Sequence, residues 1–181
     1  SRPIGVLSVF SYEDQSAYNH KDLELLDFIS GQITLSMERK LNTEKIQNQG
    51  ARINAIFESS THQIWSLDSE LRFTSFNQNY AEAFEAYYGH EPKIGMSLKD
   101  QDPHTMSHKA SDFWQKKYEH VFKGNTLNFQ TSQKTLDGQK VWRDVFLNPI
   151  FLPDGSIHEI SAIANDITEK KLSETALMES E

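Results

Sequence analysis

Three side chains that can serve as metal ligands stand four residues apart in this sequence. On a helix, His104, His108 and Asp112 would share one face, where two imidazoles and a carboxylate can bind a transition metal or a haem iron. Pro103 disfavours a helix around His104 and several lysines follow, so solvent-exposed histidines are the ordinary alternative. We therefore predict no metal site and keep His108 and His120 as weak candidates for ligation.

Motifs of common enzymes are missing from the sequence. It contains no G-x-S-x-G, no H-E-x-x-H and no glycine-rich phosphate-binding loop. The absence of cysteine excludes thiolate catalysis and thiolate metal sites. His90-Glu91 has the composition of a phosphoacceptor pair, but it lies between Gly89 and Pro92, outside any predicted helix. We expect this chain to catalyse nothing.

Charge and hydropathy exclude several classes of partner. The formal charge is −8 at pH 7, whereas nucleic acids and anionic membranes attract a basic surface. No stretch approaches the roughly 18 apolar residues of a membrane span, and no signal-peptide pattern opens the chain. Together with the lack of cysteine, these features predict a cytoplasmic protein without nucleic-acid or direct membrane contact.

A strand and a long helix are predicted in the first third of the chain. Ile4–Ser11 is an apolar run with partial alternation, which indicates a strand. Asn19 or His20 can cap a helix that continues from about residue 21 to 59 through Gly31 and Gly50. A helix this long and polar needs a partner, either the same helix of a second chain or its own domain.

The remaining pattern predicts an α+β body. Strands are expected at 64–67, 72–76, 127–135, 139–152 (broken by Pro149) and 156–165, and helices at 77–88 and 107–122. The order favours a five-stranded antiparallel sheet with helices on one face. The predicted fold class is thus α+β, preceded by a strand and a long linker helix.

The stretch 152–171 links the last strand to a new helix. Pro153-Asp154-Gly155 predicts a turn, residues 156–165 are rich in β-branched side chains, and Asp166 and Thr168 are helix-capping residue types. The turn, the strand and the closing Asp-Ile-Thr-Glu-x-Lys resemble the end of a PAS domain, and the resemblance covers roughly residues 52–171. It implies a PAS-like sheet and a signalling junction at Asp166, Ile167 and Thr168.

The resemblance also suggests specific roles. In PAS domains the acidic residue of the closing motif often pairs with a basic residue on the sheet, and Arg143 is the predicted partner of Asp166. A simple helix-capping role for Asp166 is the alternative. Some PAS sensors hold haem through a histidine on the helix that 107–122 would represent, but this segment is polar. Light-sensing PAS domains that form a flavin adduct need a cysteine, so that cofactor is excluded and the cofactor stays unknown.

A half-barrel sheet that covers helices can enclose a pocket for a small ligand. The predicted pocket-lining residues are Trp65, Phe73, Phe84, Trp114, Phe129, Trp142, Phe146 and Ile160. Simple core packing is the alternative for each of them. Residues 139–148 place apolar groups on both faces, since Val145 alternates with Trp142 and Phe146. We therefore expect the outer face to be covered by a flanking helix or a partner chain.

These observations predict four segments: 1–40, 41–58, 59–168 and 169–181. The first, with GVLSVFS and KDLELLDFISGQITLSMER, resembles the C-terminal end of a GAF domain. A helical linker, a PAS domain and the start of an output helix follow. The resemblances imply a sensory and dimerisation module of a signalling protein, with a two-component histidine kinase as parent and any kinase beyond residue 181. Alternatives are a ligand-free dimerisation scaffold or the input of a diguanylate cyclase or transcription regulator. The expected partners are a second copy, through the flanking helices, and a small-molecule ligand.

Overall fold

The computed structural model describes residues 5–14, 17–98 and 108–178, with backbone alone for 108–110. The chain divides into two compact units, Ser1–Asn54 and Ala55–Glu181. Within the described ranges, no helix combines the length and the apolar character of a membrane span.

Helix α1 is the main element of the first unit. It comprises the 39 residues His20–Glu58, and only its last turn belongs to the second unit. Asn19 caps it, because its Oδ1 accepts a hydrogen bond from Lys21 N at 2.8 Å. The helix continues through Gly31 and Gly50, and none of its side chains is buried. The predicted long helix is confirmed.

The strand predicted at 4–11 is wrong where the structure describes it. Residues 5–10 have no regular secondary structure, and Val6 and Phe10 are exposed. A strand is stabilised by hydrogen bonds to a neighbouring strand, and no described strand pairs with this segment. Ile4 lies outside the described residues.

The second unit contains the predicted five-stranded antiparallel sheet, in the order β2-β1-β5-β4-β3. Its strands are β1 (Gln63–Asp68), β2 (Phe73–Phe76), β3 (Leu127–Lys134), β4 (Lys140–Phe151) and β5 (Ile157–Asp166). The chain therefore crosses from the β2 edge to the β3 edge through helices and returns through β4 and β5 to pair with β1.

Among its described residues this unit also contains three α-helices: α2 (Gln78–Tyr88), α3 (His108–Phe122) and α4 (Thr168–Met178). Helix α2 is defined by its caps. Asn77 precedes it, and Gly89 ends it with a left-handed φ of 75°, which glycine adopts without strain. The expected α+β class, with helices against one face of the sheet, is confirmed.

The core lies between the inner face of the sheet and helices α2 and α3. Side chains from all of these elements except β3 are almost fully buried there: Trp65, Leu67, Phe73, Phe84, Tyr118, Val121, Val145, Leu147, Ile160, Ala162 and Ala164. Because strand side chains alternate, the neighbouring positions point to the outer face, where Phe146 and Ile150 are each 40% exposed.

Strand β4 is not broken at Pro149, contrary to the prediction. Pro149 pairs with Ile160 of β5 and lies beyond Leu147, where the pairing with β3 ends. On the β3 side, Pro149 is therefore at an edge, where its missing N–H leaves no ladder hydrogen bond unmade.

Candidate ligand cavity and helix junctions

A cavity of about 60 Å³ lies between the inner face of the sheet and helices α2 and α3. Its lining combines aromatic rings with polar side chains: Gln63, Trp65, Leu71, Tyr80, Ala83, Phe84, Tyr87, Tyr88, Leu98, Ser111, Trp114, Gln115, Tyr118, Gln133, Arg143 and Val145. Among the described lining residues, Arg143 is the only one with a charged side chain. A volume of this size holds roughly four to six waters, or one small organic molecule.

Aromatic stacking shapes two walls of the cavity. The rings of Trp65 and Tyr80 stack with their centroids 4.5 Å apart, and those of Trp114 and Tyr118 stack at 5.7 Å. Trp65 and Trp114 also meet edge to face at 6.4 Å. Such packed rings present rigid, flat apolar surfaces to any occupant.

The predicted pocket-lining residues separate into three groups. Trp65, Phe84 and Trp114 line the cavity. Phe73, Phe129 and Ile160 belong to the core but do not line the cavity. The predictions for Trp142 and Phe146 are wrong, because both side chains lie on the outer face of β4. The corrections follow from strand alternation, since Val145 occupies the inner face of β4 and its neighbour Phe146 must point outward.

Arg143 binds Tyr87 and not Asp166. Its Nη2 donates a hydrogen bond to the Tyr87 hydroxyl at 2.7 Å, and its guanidinium carbon lies 4.4 Å from the Tyr87 ring centre. Arg143 and Asp166 are paired across β4 and β5, yet their side chains form no ion pair in the described structure. The predicted Arg143–Asp166 pair is therefore wrong, because the guanidinium group stacks on Tyr87 and donates a hydrogen bond to its hydroxyl instead.

Two hydrogen-bond donors of the cavity wall have no acceptor. Arg143 Nε and Trp65 Nε1 are both buried and without a hydrogen-bond partner in the described structure. The Trp65 indole lies near the Tyr118 hydroxyl and lowers the pKa of Tyr118, which burial raises. The Trp65 N–H still has no acceptor in hydrogen-bond geometry. Buried donors without acceptors are rare in proteins, so these two need an explanation.

The cavity tyrosines are neutral. Burial raises the pKa of Tyr80, Tyr88 and Tyr118 above 10. Burial also raises the pKa of Tyr87, and it outweighs the opposing effect of the neighbouring Arg143 charge. Since none of these hydroxyls ionises near neutral pH, they do not neutralise the positive charge of Arg143.

The output junction is held to β4 at one residue. Trp142 N donates to Thr168 Oγ1 at 2.9 Å, and Ile167 N donates to Trp142 O at 2.9 Å. Asp166 Oδ1 accepts from Thr168 N at 2.8 Å, which is the capping role that the sequence left open. Asp166, Ile167 and Thr168 therefore attach the first turn of α4 to the strand that also carries Arg143.

Asn77 is a buried structural residue whose role the sequence reasoning missed. It is fully buried, and its Oδ1 accepts from Ile64 N and Tyr80 N at 2.9 and 3.0 Å. Its Nδ2 donates to Phe57 O and His62 O at 3.1 and 2.9 Å. The end of α1, the start of β1 and the start of α2 are thus joined by one amide. An asparagine directly before a helical pattern was the available signal.

The histidine candidates find no support as ligands. His120 is exposed on α3, and His104 and the His108 side chain lie outside what the structure describes. In the ranges that are described, no three acidic or histidine side chains are grouped closely enough to hold a metal ion.

A five-stranded antiparallel sheet with helices over one face places this unit in the α+β class of domains. The model of the PAS fold family matches residues 57–172, which is more than half of the chain. This chain belongs to the PAS fold family.

Solved structures with TM-scores above 0.5 share this fold. The phage VqmA–DPO complex is 17% identical, with a TM-score of 0.52, and the match covers 76% of this chain and 62% of that one. The VqmA–ligand–DNA complex of Vibrio cholera is 18% identical, with a TM-score of 0.51, over 65% of this chain and 51% of that one. The PAS domain of an HTR-like protein from Haloarcula marismortui is 22% identical, with a TM-score of 0.49, over 71% and 99%. No curated protein matches the sequence significantly.

Proposed function

We propose that this chain is a non-catalytic sensory and dimerisation module of a cytoplasmic signalling protein, with a two-component histidine kinase as its parent. One observation carries the proposal: a single strand serves both the cavity and the output helix. Arg143 and Val145 of β4 line the cavity, while the backbone of Trp142 holds Ile167 and Thr168 at the start of α4.

The mechanism is a shift between two arrangements of β4 and α4. An occupant of the cavity that contacts Arg143 would change the contact between Arg143 and Tyr87, and Trp142, which directly precedes Arg143 in β4, holds the start of α4. A ligand can bias such an equilibrium only by the difference in its affinity for the two states. Contacts with β4, the strand that also holds α4, provide that difference.

The flanking helices supply the dimerisation surface. Leu172 and Leu177 on α4 are 65% and 68% exposed, and α1 has no buried side chain. Two copies of such helices can bury these apolar groups against each other. Sedimentation velocity should show a dimer for the chain and a shift to monomer for L172D/L177D. A monomeric parent chain would contradict this part of the proposal.

Native mass spectrometry of the purified chain tests the sensory role. We expect an added mass of one small organic molecule, which is lost when the protein is denatured. The control is A83W, whose larger side chain projects from a cavity-lining position of α2 and should abolish the added mass. A chain that is always empty, and that no small molecule stabilises, would overturn the sensory role.

A ligand-free dimerisation scaffold is the second candidate, and the exposed apolar groups on the outer face of β4, such as Phe146 and Ile150, favour it. It predicts a stable dimer with an empty cavity. A diguanylate cyclase or a transcription regulator could equally use this module as its input domain. The residues that follow 181 in the parent protein would identify the output, and the GAF-like origin of 1–40 stays a prediction.

A further inference from the structure

We infer that the cavity binds a small organic acid, with the carboxylate held by Arg143 and a short apolar body held between the aromatic walls. This inference rests on the proposed sensory function and names the ligand class of the same cavity. It follows from the charge of the lining, from the unused donors and from the volume.

The charge of the lining favours an anion. Arg143 is the one charged side chain among the described residues around the cavity, and no aspartate or glutamate accompanies it there. Asp166 is the nearest carboxylate in the strand pairing, but it is exposed and caps α4. Asp144 lies on the opposite face of the sheet, because β4 side chains alternate. A ligand carboxylate would place inside the cavity a negative charge that the described lining lacks, since Asp166 is not a lining residue and acts only through its charge, which raises the pKa of Tyr87.

The unused donors favour oxygen acceptors. Nη2 of Arg143 is taken by Tyr87, while Nε keeps a buried N–H without an acceptor. The planar guanidinium is the group that best matches a carboxylate in geometry. Trp65 Nε1 is a second buried donor on the wall of the same cavity. A ligand carboxylate can accept from Arg143 Nε, whereas Trp65 lies level with Leu147 in the sheet, four residues from Arg143, and offers a separate donor to another part of the ligand.

The size and shape of the cavity restrict the rest of the ligand. About 60 Å³ is less than half of the roughly 150 Å³ of a cavity that holds benzene, so it accommodates a short aliphatic acid and not a ring. The stacked pairs Trp65–Tyr80 and Trp114–Tyr118 offer flat apolar walls to its body. A dicarboxylate would leave its second charge against apolar rings, so a monocarboxylate fits this lining best.

Matched acid and amide probes test the inference. Isothermal titration calorimetry of the full chain with acetate and acetamide, and with propionate and propionamide, compares ligands that differ chiefly in charge. We expect each acid to bind at least about tenfold more tightly than its amide, as a charge-assisted hydrogen bond implies.

Two variants assign the effect to Arg143. R143Q should weaken binding of the acid by at least about tenfold and bring it to the level of the amide. Y87F keeps the guanidinium, removes the competing hydroxyl acceptor and should bind the acid at least as tightly as the parent chain. Circular dichroism checks that both variants are folded, and if R143Q does not fold, the acid-to-amide ratio in Y87F and in the parent chain decides.

The outcomes separate this inference from the proposed function. Equal binding of acid and amide, or undiminished acid binding by folded R143Q, would overturn the carboxylate assignment while leaving a ligand-binding cavity. Absence of acid binding overturns it as well. In that case a neutral molecule found by native mass spectrometry would leave the sensory function standing, and an empty chain would remove both.

Discussion

The two faces of strand β4 have the same kinds of residues but different surroundings. On the inner face, Val145 and Leu147 are fully buried beside Arg143, which lines the cavity. On the outer face, Phe146 is 40% exposed and Trp142 lies under Lys140, whose Nζ is 4.3 Å from the indole ring centre. The alternation of apolar residues along β4 therefore does not by itself tell which aromatic side chains lie in the core and which lie on the outer face.

The largest difference in the free energy of unfolding is expected between two Ile→Ala substitutions, one on the inner face of the sheet and one on the outer face. I160A on β5 should lower the free energy of unfolding by about 2–5 kcal/mol, because Ile160 is fully buried and leaves a cavity. I150A on the outer face of β4 should lower it by about 1 kcal/mol or less. Urea unfolding of both variants measures this, and equal losses would remove the distinction between the faces.

The next largest loss of unfolding free energy is expected at the buried helix cap Asn77, which can be compared with the exposed cap Asp166. N77A should lower the free energy of unfolding by about 2–3 kcal/mol, because it removes a cap and leaves several buried backbone groups without partners. Chemical denaturation gives the value. A loss well below that of an ordinary cap would mean that Asn77 does not join α1, β1 and α2 as described.

A smaller effect is expected at the output junction. D166A should lower the free energy of unfolding by about 1 kcal/mol, since Asp166 is exposed and caps Thr168 N. D166N keeps an oxygen acceptor and should lose less than half of that amount. If a double-mutant cycle of R143Q and D166A shows that Arg143 and Asp166 are energetically coupled, the simple capping role is wrong.

The smallest effect is expected in how the four cavity tyrosines make the free energy of unfolding depend on pH. Burial raises the pKa of the four cavity tyrosines above 10, so between pH 7 and 9 they should not change the stability. Above about pH 10 the unfolded chain loses these protons first, and the free energy of unfolding should therefore fall. Urea unfolding at several pH values measures the decline, and Y118F should make it less steep. An unchanged slope in Y118F would contradict the burial of this hydroxyl.

Most of the fold could be predicted because the local signals agreed with one another. The PDG turn, the cap before α4 and Gly89 at the end of α2 each set an element boundary, whereas the cap Asn77 was placed inside the predicted helix 77–88. The strand predicted at 4–11 failed because a strand depends on a partner strand, which no local pattern supplies.

The site was predictable only in part. Trp65, Phe84 and Trp114 were found because large aromatic residues concentrate in the core. Trp142 and Phe146 were misplaced because the alternation of β4 fits either face, and the pairing with β3 and β5 decides which face is inside. The contact between Arg143 and Tyr87 joins residues 56 positions apart, so no local pattern could have indicated it.

Amide hydrogen exchange at the start of α4 tests most directly whether the cavity side of β4 controls the output helix. In R143Q, the amides of Trp142 and Ile167 should exchange at least about tenfold faster than in the parent chain, while amides of β1 and β2 stay unchanged. K140Q, on the outer face of the same strand, is the control and should leave all of them unchanged. Unaltered exchange at Trp142 and Ile167 in folded R143Q would contradict the proposed coupling.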